Sequence, residues 1–386
     1  MSIETMGRIR ERMKPETKGV AATATNRRAF LRGAAAGAAV LAAPHVRNAE
    51  AARSHVWKVQ STWDAGTTGY RLFEEWAKSF QEKSDGELEV RPFPAKAVAA
   101  DNNALFDAVR TGVLQGMNPF TLYWSGKIPA SVFLSSYPAG PDQASQWDTM
   151  FYGLGLLEMT RDIYQKFGLF YVGPIQHDAN IIHSKQPVES LEQLQGMKIR
   201  LPGGMVAEVF EKFGVSTTSM PGSDIYPALE KGTIDAADYV GPAINWDLGF
   251  AEVTNYIICM GPPGQTSLYQ PVDLMDLTVN MGAWKRLPEK LQGFVEEQVQ
   301  PCSVHHFVTI QEADLRAMAQ FLEAGTTVSR LPAEDVKRFR QAAIPVWYKW
   351  AALNDDAKRV FQLQLDYMLN PYMGYVSPDD VAGLSL

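Results

Sequence analysis

The sequence predicts an α/β fold with two lobes. Short apolar segments alternate with amphipathic helical segments along most of the chain, which is typical of sheets flanked by helices. The 386 residues are enough for two domains with full cores. No Pro-, Gly- or Ser-rich linker separates two halves. We therefore expect the chain to cross between the lobes several times, an arrangement that makes a cleft with a hinge.

The composition and charge narrow the class of partner. Apolar residues make up 46% of the chain and charged residues 20%, as in globular proteins. Residues 1–51 carry a net charge of +5 and the remainder carries −12. An acidic protein lacks the basic surface that nucleic acid or an anionic membrane requires. Such a protein binds an acid only through a local cation.

Residues 1–51 predict a targeting segment. Arg27 and Arg28 precede an apolar stretch of about 11 residues at 33–43, too short for a membrane span of roughly 20 residues. Small residues at 49–51 offer a cleavage site. The segment resembles a twin-arginine export signal, so we expect export to the periplasm in the folded state. The alternative is a basic tail. No later segment is apolar enough to span a membrane, so we expect a soluble mature protein.

The segments after the signal predict a parallel sheet, since strands and helices alternate. The predicted strands are Val56–Ser61, Leu88–Pro92 and Gly116–Trp124, and the predicted helices are Gly69–Ser84 and Asn102–Gly112. A long helix over Ala144–Phe167 follows, and then strands at Leu169–Pro174 and Asn180–Ser184.

The stretch Met197–Pro242 predicts a βαβ-like unit. Its first strand ends at Arg200, and its second strand, Ile234–Val240, carries Asp238 and Tyr239. Ligands of open α/β sheets bind at the carboxyl ends of strands. The rest of the chain predicts a short helix at Asp247–Val253, a strand at Val272–Asn280, a long helix at Leu287–Ala324 kinked at Pro301, and two helices within Ala333–Leu369.

Enzyme motifs are absent from the sequence. It contains no G-x-S-x-G, H-E-x-x-H, P-loop or G-x-G-x-x-G motif, and its histidines suggest no triad. Together with the export signal, this favours a binding protein over an enzyme. Cys259 and Cys302 have no metal-ligand spacing, so two separate thiols are expected, and a disulfide stays open.

Arg200 is the main candidate for ligand binding. A guanidinium presents a planar fork that pairs with a carboxylate through two parallel hydrogen bonds. At a strand end facing a cleft, Arg200 would bind the carboxylate of a small acid. The alternative is an arginine in a structural salt bridge.

Three spaced motifs carry a family resemblance. They are Leu191–Pro202, Asp224–Asp235 and Phe106–Gly112. The first of them contains the pattern Lys-Ile-Arg-x-Pro. From Val56 onward the chain resembles the periplasmic solute-binding proteins of TRAP transporters, the DctP-type family. The resemblance implies a periplasmic-binding-protein-like fold with a hinge, an interlobe ligand cleft and a helical C-terminus. We expect residues 52–177 with 266–305 to form one lobe, and residues 178–265 with 306–386 to form the other.

Within the family, the chain is most similar to the branch that binds 2-oxoacids and lactate. This implies that it captures a small carboxylate, most simply a 2-oxo or 2-hydroxy monocarboxylate, and delivers it to TRAP membrane subunits. The branch implies a bridging Na⁺ or Ca²⁺, whose ligand positions correspond to Asp238, Tyr239, Gln270, and Gln176 or His177. The branch usually has Glu-Trp at the first pair and Glu at the third position, so this chain departs from it.

The resemblance also implies further substrate contacts. Besides Arg200 they are Tyr123, Asn180, His177, Tyr239 and Trp63, with core packing as the alternative for the aromatic residues. Apolar positions within Ala357–Met368 suggest a homodimer. The alternative functions are an exported carboxylate-processing enzyme, a ligand-sensing protein on the same scaffold, and the binding of an aromatic acid or a dicarboxylate.

Overall fold

Two β-sheets organise residues 54–386, the part of the chain that the computed structural model describes. The predicted export signal lies outside the described residues. The strands are β1 His55–Ser61, β2 Leu88–Phe93, β3 Gly116–Asn118, β4 Leu169–Gln176, β5 Ile182–Ser184, β6 Lys198–Arg200, β7 Ser216–Thr218, β8 Ala236–Asp238, β9 Tyr256–Cys259, β10 Leu274–Asn280 and β11 Thr327–Arg330.

The first lobe is built on a five-stranded sheet with the order β2-β1-β3-β10-β4. β1 pairs in parallel with β2 and β3, as predicted. β10 is antiparallel to both of its neighbours. The prediction of a purely parallel sheet is therefore wrong. β10 follows residues of the second lobe in the chain and so enters the sheet from the opposite side.

The second lobe is built on a six-stranded sheet with the order β11-β9-β5-β8-β6-β7. β6 is parallel to β7 and β8, which confirms the βαβ-like unit around Arg200. β5 is antiparallel to β8 and β9. The prediction missed β7, β9 and β11, which have only three or four residues each. Segments this short carry little periodic signal.

Helices flank both sheets. The first helix begins after Thr67, whose hydroxyl accepts a hydrogen bond from the Tyr70 amide. The longest helix has 35 residues and continues through Pro301. The helices are α1 Thr68–Lys83, α2 Asn102–Arg110, α3 Ala144–Asp148, α4 Leu156–Gln165, α5 Gly204–Glu211, α6 Gly222–Glu230, α7 Pro242–Asp247, α8 Phe250–Val253, α9 Met281–Lys285, α10 Glu289–Glu323, α11 Ala333–Ala351 and α12 Asp355–Leu369.

Three predicted elements are wrong in extent. The helix predicted over Ala144–Phe167 is broken at Gly155, which has a φ of 87°, a value that favours glycine. The strand predicted over Gly116–Trp124 ends at Asn118, before Pro119, and a 3₁₀ turn follows. The helix predicted over Asp247–Val253 is split between α7 and α8 by Gly249, which has a φ of 77°.

The last helix packs against the first lobe. The ring of Phe361 on α12 stacks on Phe133 with the centroids 5.0 Å apart, and Tyr137 donates a hydrogen bond of 3.0 Å to Gln364. Most apolar side chains of this helix are buried within the chain. The expectation that they are exposed is therefore wrong, whereas the homodimer itself stays a prediction. The predicted lobe boundaries stay a prediction, and this contact is one that they did not foresee.

Two remaining expectations concern the cysteines and the membrane. Cys259 and Cys302 are free thiols, as the sequence favoured. Among the helices described within residues 54–386, none is both long and apolar enough to cross a bilayer.

Candidate ligand-binding cleft

The carboxyl ends of strands from both lobes meet at one place. Trp63 follows β1, Tyr123 follows β3, Arg200 ends β6, and Tyr239 follows β8. The Trp63 and Tyr239 rings lie 6.4 Å apart between centroids, and the Arg200 guanidinium lies 5.3 Å from the Tyr239 ring. This is where open α/β sheets bind ligands.

Arg200 is buried, with 2% of its surface exposed. Its Nε and Nη2 both donate to the Met220 carbonyl, at 3.1 and 2.9 Å. Its Nη1 donates to the Asp238 carbonyl at 2.8 Å and lies 3.5 Å from Asp238 Oδ2. A guanidinium carries five N–H groups, so these four contacts leave at least one, and the Tyr123 hydroxyl lies within its reach. The two parallel hydrogen bonds expected for a carboxylate would therefore require one of these contacts to be released.

Asp238 only partly neutralises Arg200. Tyr269 donates a hydrogen bond of 2.8 Å to Asp238 Oδ1. Burial raises the pKa of Asp238 to about 7, and the charge of Arg200 and the Tyr269 hydrogen bond only partly offset this rise. Near neutral pH, Asp238 is therefore protonated for part of the time. The buried Arg200 charge then lacks a full counter-charge, which suits an anionic ligand.

Aromatic side chains of the first lobe face this charged group. Trp63 is fully buried and packs edge-on against Phe120 at 5.3 Å. Tyr123 is partly buried and also packs edge-on against Phe120. Burial raises the pKa of Tyr123, and the Arg200 charge opposes that rise, so the phenol and the guanidinium are neighbours across the lobes.

The first crossover between the lobes contributes His177 and Asn180. His177 Nδ1 accepts a hydrogen bond of 2.7 Å from the Asp178 amide, and burial lowers the pKa of His177 to about 3, so its ring is neutral. Asn180 Nδ2 donates to the Tyr239 carbonyl at 2.6 Å. His177 Nε2 and Asn180 Oδ1 are both buried without a partner among the described residues. Both are therefore available to a ligand.

The second crossover contributes Gln270 and Asp273. Gln270 Nε2 donates to Asp273 Oδ2 at 3.1 Å, while Gln270 Oε1 is buried without a partner in the described part of the chain. Ser135 donates to Asp273 Oδ1 at 2.7 Å. Burial raises the pKa of Asp273 to about 7. Sequence reasoning missed Tyr269 and Asp273, although both flank the predicted Gln270 closely.

The predicted cation ligands are only partly brought together. Gln176 Nε2 donates to Ala144 O and Asp148 Oδ1, so its side-chain amide is engaged within the first lobe. Within residues 54–386, no group of three or more His, Cys, Asp or Glu side chains is placed to hold a metal. The unpartnered amide oxygens of Asn180 and Gln270 are nevertheless the ligand type that Na⁺ and Ca²⁺ prefer.

Polar contacts close the mouth of the cleft. Lys96 of the first lobe donates to Ser223 at 2.8 Å and to Asp224 at 2.9 Å on the second lobe. At the start of α1, the Thr68 amide donates to Asp247 at 2.6 Å. The opening that remains is lined by Tyr123 and Tyr239, together with other residues, and has a volume of about 30 Å³. The structure is thus a closed form.

Two buried carboxyl groups meet behind the site. Asp178 accepts a hydrogen bond of 2.9 Å from the Gly241 amide, and Asp314 of α10 accepts one of 2.8 Å from Ala243. A Cβ atom on Gly241 would lie 2.3 Å from Asp178 Oδ2 and 2.9 Å from Asp314 Oδ2. Burial is the main cause that raises the pKa of both carboxyl groups. This junction ties the first crossover, the start of α7 and α10 together.

Comparison with known sequences agrees with this architecture. The family model of the bacterial extracellular solute-binding proteins, family 7 (DctP), matches residues 59–353. A monocarboxylate 2-oxoacid-binding periplasmic protein from Nostoc sp. is 25% identical over 307 residues, which cover 79% of this chain and 82% of the relative.

Solved structures show the same fold. A TRAP transporter solute-binding protein from Bordetella bronchiseptica superimposes with a TM-score of 0.75 at 25% identity, over 83% of this chain and 94% of that chain. One from Colwellia psychrerythraea, with bound calcium and pyruvate, has a TM-score of 0.72 at 24% identity, over 83% and 98%. The family resemblance and the two-lobed fold expected from the sequence are confirmed. The chain belongs to the bacterial extracellular solute-binding protein family 7, the DctP family.

Proposed function

We propose that this protein captures a small monocarboxylate, with a 2-oxo or 2-hydroxy acid as the first candidate, and delivers it to the membrane subunits of a TRAP transporter. The acid lies between the lobes, and its carboxylate pairs with Arg200. Tyr123 and Trp63 of the first lobe cover it, while Asn180, His177 and Tyr239 complete the polar surroundings. No covalent step is required.

The observation that carries this proposal is the electrostatic state of Arg200. The guanidinium is buried, bonded mainly to backbone carbonyls, and accompanied by a carboxyl group whose pKa is raised to about 7. An unbalanced buried charge costs free energy, which a bound anion recovers. The free amide oxygens of Asn180 and Gln270 then face the rest of the ligand.

The relatives support an acid as the ligand. The Nostoc relative is described as binding monocarboxylate 2-oxoacids. Relatives from Vibrio cholerae and Halomonas elongata, at 22% and 21% identity, are described as binding sialic acid and ectoine. All three ligands carry a carboxylate, but they differ in size. Family membership therefore supports the role of Arg200 more strongly than it supports one acid.

A cation is the second component of the proposal. Related solved structures contain calcium with pyruvate or sodium with pyruvate, at 24% identity. In this chain the cation would be held by Asp238, Gln270 and Asn180 through oxygen atoms, with Tyr239 nearby and without Gln176. Because this set has a single carboxylate, we expect weaker cation binding than a site with two would give. Titration of the acid after chelation, and again with added CaCl₂, measures the dependence.

Calorimetric titration of the ligand-free protein tests the proposal. The panel contains pyruvate, lactate, benzoate, malonate and propanol, the last as an uncharged control. We expect binding of monocarboxylates and none of propanol. Arg200→Ala should reduce the binding free energy of the tightest ligand by about 2–5 kcal/mol, which lowers its affinity roughly 30-fold to 5,000-fold. Arg200→Lys keeps the charge but loses the planar guanidinium, so its affinity should lie between those of the wild type and Arg200→Ala.

The matched control is Arg338→Ala, which removes an arginine whose side chain is 49% exposed and pairs with Glu192 at 2.6 Å. It should bind like the wild type. Wild-type affinity in Arg200→Ala would remove the anchor role. Turnover of a bound acid, monitored by NMR over hours, would favour the exported enzyme instead.

Export by the twin-arginine route is also part of the proposal. Arg27 and Arg28 support this part of the proposal, because paired arginines are the signal that the route recognises. Changing both to lysine should leave the precursor in the cytoplasm, whereas changing Arg8 and Arg10 should not. Equal export of both variants, measured by cell fractionation, would contradict the route.

A further inference from the structure

A second pocket, partly open to solvent, lies in the first lobe between α1 and α10. Its volume is about 300 Å³. Leu72, Phe73 and Ile175 form apolar walls, and Trp76, Cys302 and His306 also line it. Small-molecule sites are concave, mostly apolar spaces of roughly 300–1,000 Å³ with a few polar groups. The space is therefore large enough for a molecule with one aromatic ring, and much larger than the opening of the closed cleft.

Two buried polar atoms of the lining residues lack a full hydrogen-bond partner. His306 Nε2 makes no hydrogen bond within the described part of the chain, and Trp76 Nε1 has only the thiol of Cys302 as a weak acceptor. An indole N–H can only donate. Burial, together with the neighbouring His177 and His305, lowers the pKa of His306, so its ring is neutral and its Nε2 either donates or accepts. Buried groups of this kind normally have a partner.

We propose that this cavity binds a small, uncharged aromatic molecule that carries a hydroxyl group. The hydroxyl oxygen accepts from Trp76 Nε1–H, and its O–H donates to His306 Nε2. A hydroxyl is the group that satisfies both atoms at once, because it donates and accepts. The ring lies among Leu72, Phe73 and Ile175.

The charge and thiol chemistry of the cavity favour a neutral, non-covalent ligand. Glu75, Lys83 and His305 line its exposed side, and the Lys83 Nζ donates to Gln298 at 2.9 Å. A carboxylate inside apolar walls would lack a full counter-charge. Burial raises the pKa of Cys302 to about 11, so the thiol stays protonated and is a poor nucleophile. A metal is disfavoured because the described residues hold no group of three His, Cys, Asp or Glu side chains.

The cavity is separate from the acid site but close to it. The His306 ring lies 5.1 Å from the His177 ring, and the His177 ring lies 4.8 Å from Trp63 in the wall of the cleft. Any test must therefore distinguish the two sites. Arg200 does this, since it belongs to the cleft and does not line the cavity.

Titration of the full, ligand-free protein with phenol tests the inference. We expect saturable binding of one phenol per chain, which Arg200→Ala retains. Ser79→Phe places a ring in the cavity, since Ser79 lines it, and should weaken phenol binding at least tenfold. Glu74→Phe adds the same ring on an exposed position of α1 and should bind phenol like the wild type.

Trp76→Phe keeps an aromatic wall and removes the N–H donor. It should weaken the binding of phenol about tenfold and leave the affinity for toluene unchanged. A merely structural change would weaken the binding of both molecules. Equal phenol binding by wild type and Ser79→Phe would overturn the proposal. Loss of binding in Arg200→Ala would assign phenol to the cleft instead. A phenol-soaked crystal with only water in the cavity would also overturn it.

Discussion

The two lobes hold their site residues by different means. In the first lobe Trp63 and Phe120 are rings packed into a core, on a sheet in which four of the five described strands have six to eight residues. In the second lobe Arg200 and Asp238 end strands of three residues and are held by hydrogen bonds. The first lobe therefore supplies shape, and the second supplies charge.

This difference separates stability from recognition. A ring in a core contributes through apolar burial, which depends little on pH. A buried charge is held by polar partners whose protonation changes with pH. We expect changes in the first lobe to reduce the free energy of unfolding, and changes in the second to alter ligand affinity and pH dependence. Trp63→Ala and Asp314→Asn test this contrast directly, and Gly241→Ala and Lys96→Ala test the contacts that join the two lobes.

Trp63→Ala should have the largest effect on stability. The side chain is fully buried against Phe120 and His177, so its removal leaves a cavity and should cost about 3–5 kcal/mol. Denaturant unfolding measures the change. Tyr372→Ala, at a side chain that is 95% exposed, should cost nothing measurable. If Trp63→Ala keeps wild-type stability, the ring serves the ligand alone and the contrast fails.

Gly241→Ala should destabilise the junction between the lobes. The added Cβ would lie 2.3 Å from Asp178 Oδ2, so the carboxyl pair must shift, at a cost of about 1–3 kcal/mol. Gly293→Ala is the control, since Gly293 lies in the second turn of α10 and its Cβ would meet nothing within 4 Å. It should stabilise the protein by roughly 0.5–1 kcal/mol. Equal effects of both variants in thermal melts would contradict the crowding at Gly241.

Asp314→Asn should change the pH dependence of stability. Burial raises the pKa of Asp314 in the folded state, so the folded protein keeps a proton that the unfolded chain has lost. This contribution to stability is fully present below the unfolded pKa of 3.8 and is lost as pH rises towards the folded pKa. The wild type should lose up to about 1.4 kcal/mol per pH unit from this group between pH 5 and 8.

The variant cannot titrate at this position, so its stability should fall less steeply with rising pH. Denaturant unfolding at several pH values measures both slopes. Asp366→Asn, at an exposed position of α12, is the control and should keep the wild-type slope. Parallel curves for wild type and Asp314→Asn would show that Asp314 titrates normally in the folded protein.

Lys96→Ala should have the smallest effect. The Lys96–Asp224 pair joins the lobes at the cleft mouth, but its side chains are 37% and 52% exposed. Solvent-exposed pairs contribute about 0.2–1 kcal/mol, so the closed form and the acid affinity should weaken at most about fivefold. The loss should shrink at high salt. A double-mutant cycle with Asp224→Ala measures the coupling energy between the two side chains. A coupling energy of zero would mean that this pair does not stabilise the closed form.

The sequence predicted the parts of the fold that carry strong periodic signals. The helix around Leu72 and the strand at Leu88 agree with the structure, because their apolar spacing extends over several turns or alternations. Short strands such as β7 and β11 were missed, since three or four residues show no periodicity. Gly155 and Gly249 break helices that apolar spacing alone had joined.

The candidate site was predicted unevenly for a similar reason. Arg200 was found because a strand end and a family motif agree on one residue. Tyr269 and Asp273 were missed, since a loop between lobes carries no pattern that marks side chains converging on Arg200. Gln176 was proposed as a cation ligand from its position in the chain, yet its amide donates to Asp148. Direction of a side chain is not encoded in its position along the chain.

By itself, the sequence determined the family, the alternation of strands and helices, and the arginine at the end of β6. These depend on local propensity and on short motifs, which contiguous residues carry. Only the tertiary structure decided that Asp238 is buried beside Arg200, that the carboxyl groups of Asp178 and Asp314 meet at Gly241, and that Trp76 and His306 share a cavity. Each of these arrangements brings together residues that are far apart in the chain. The pKa values of the buried carboxyl groups, and the polar atoms left without a partner, depend on how the separate segments pack together.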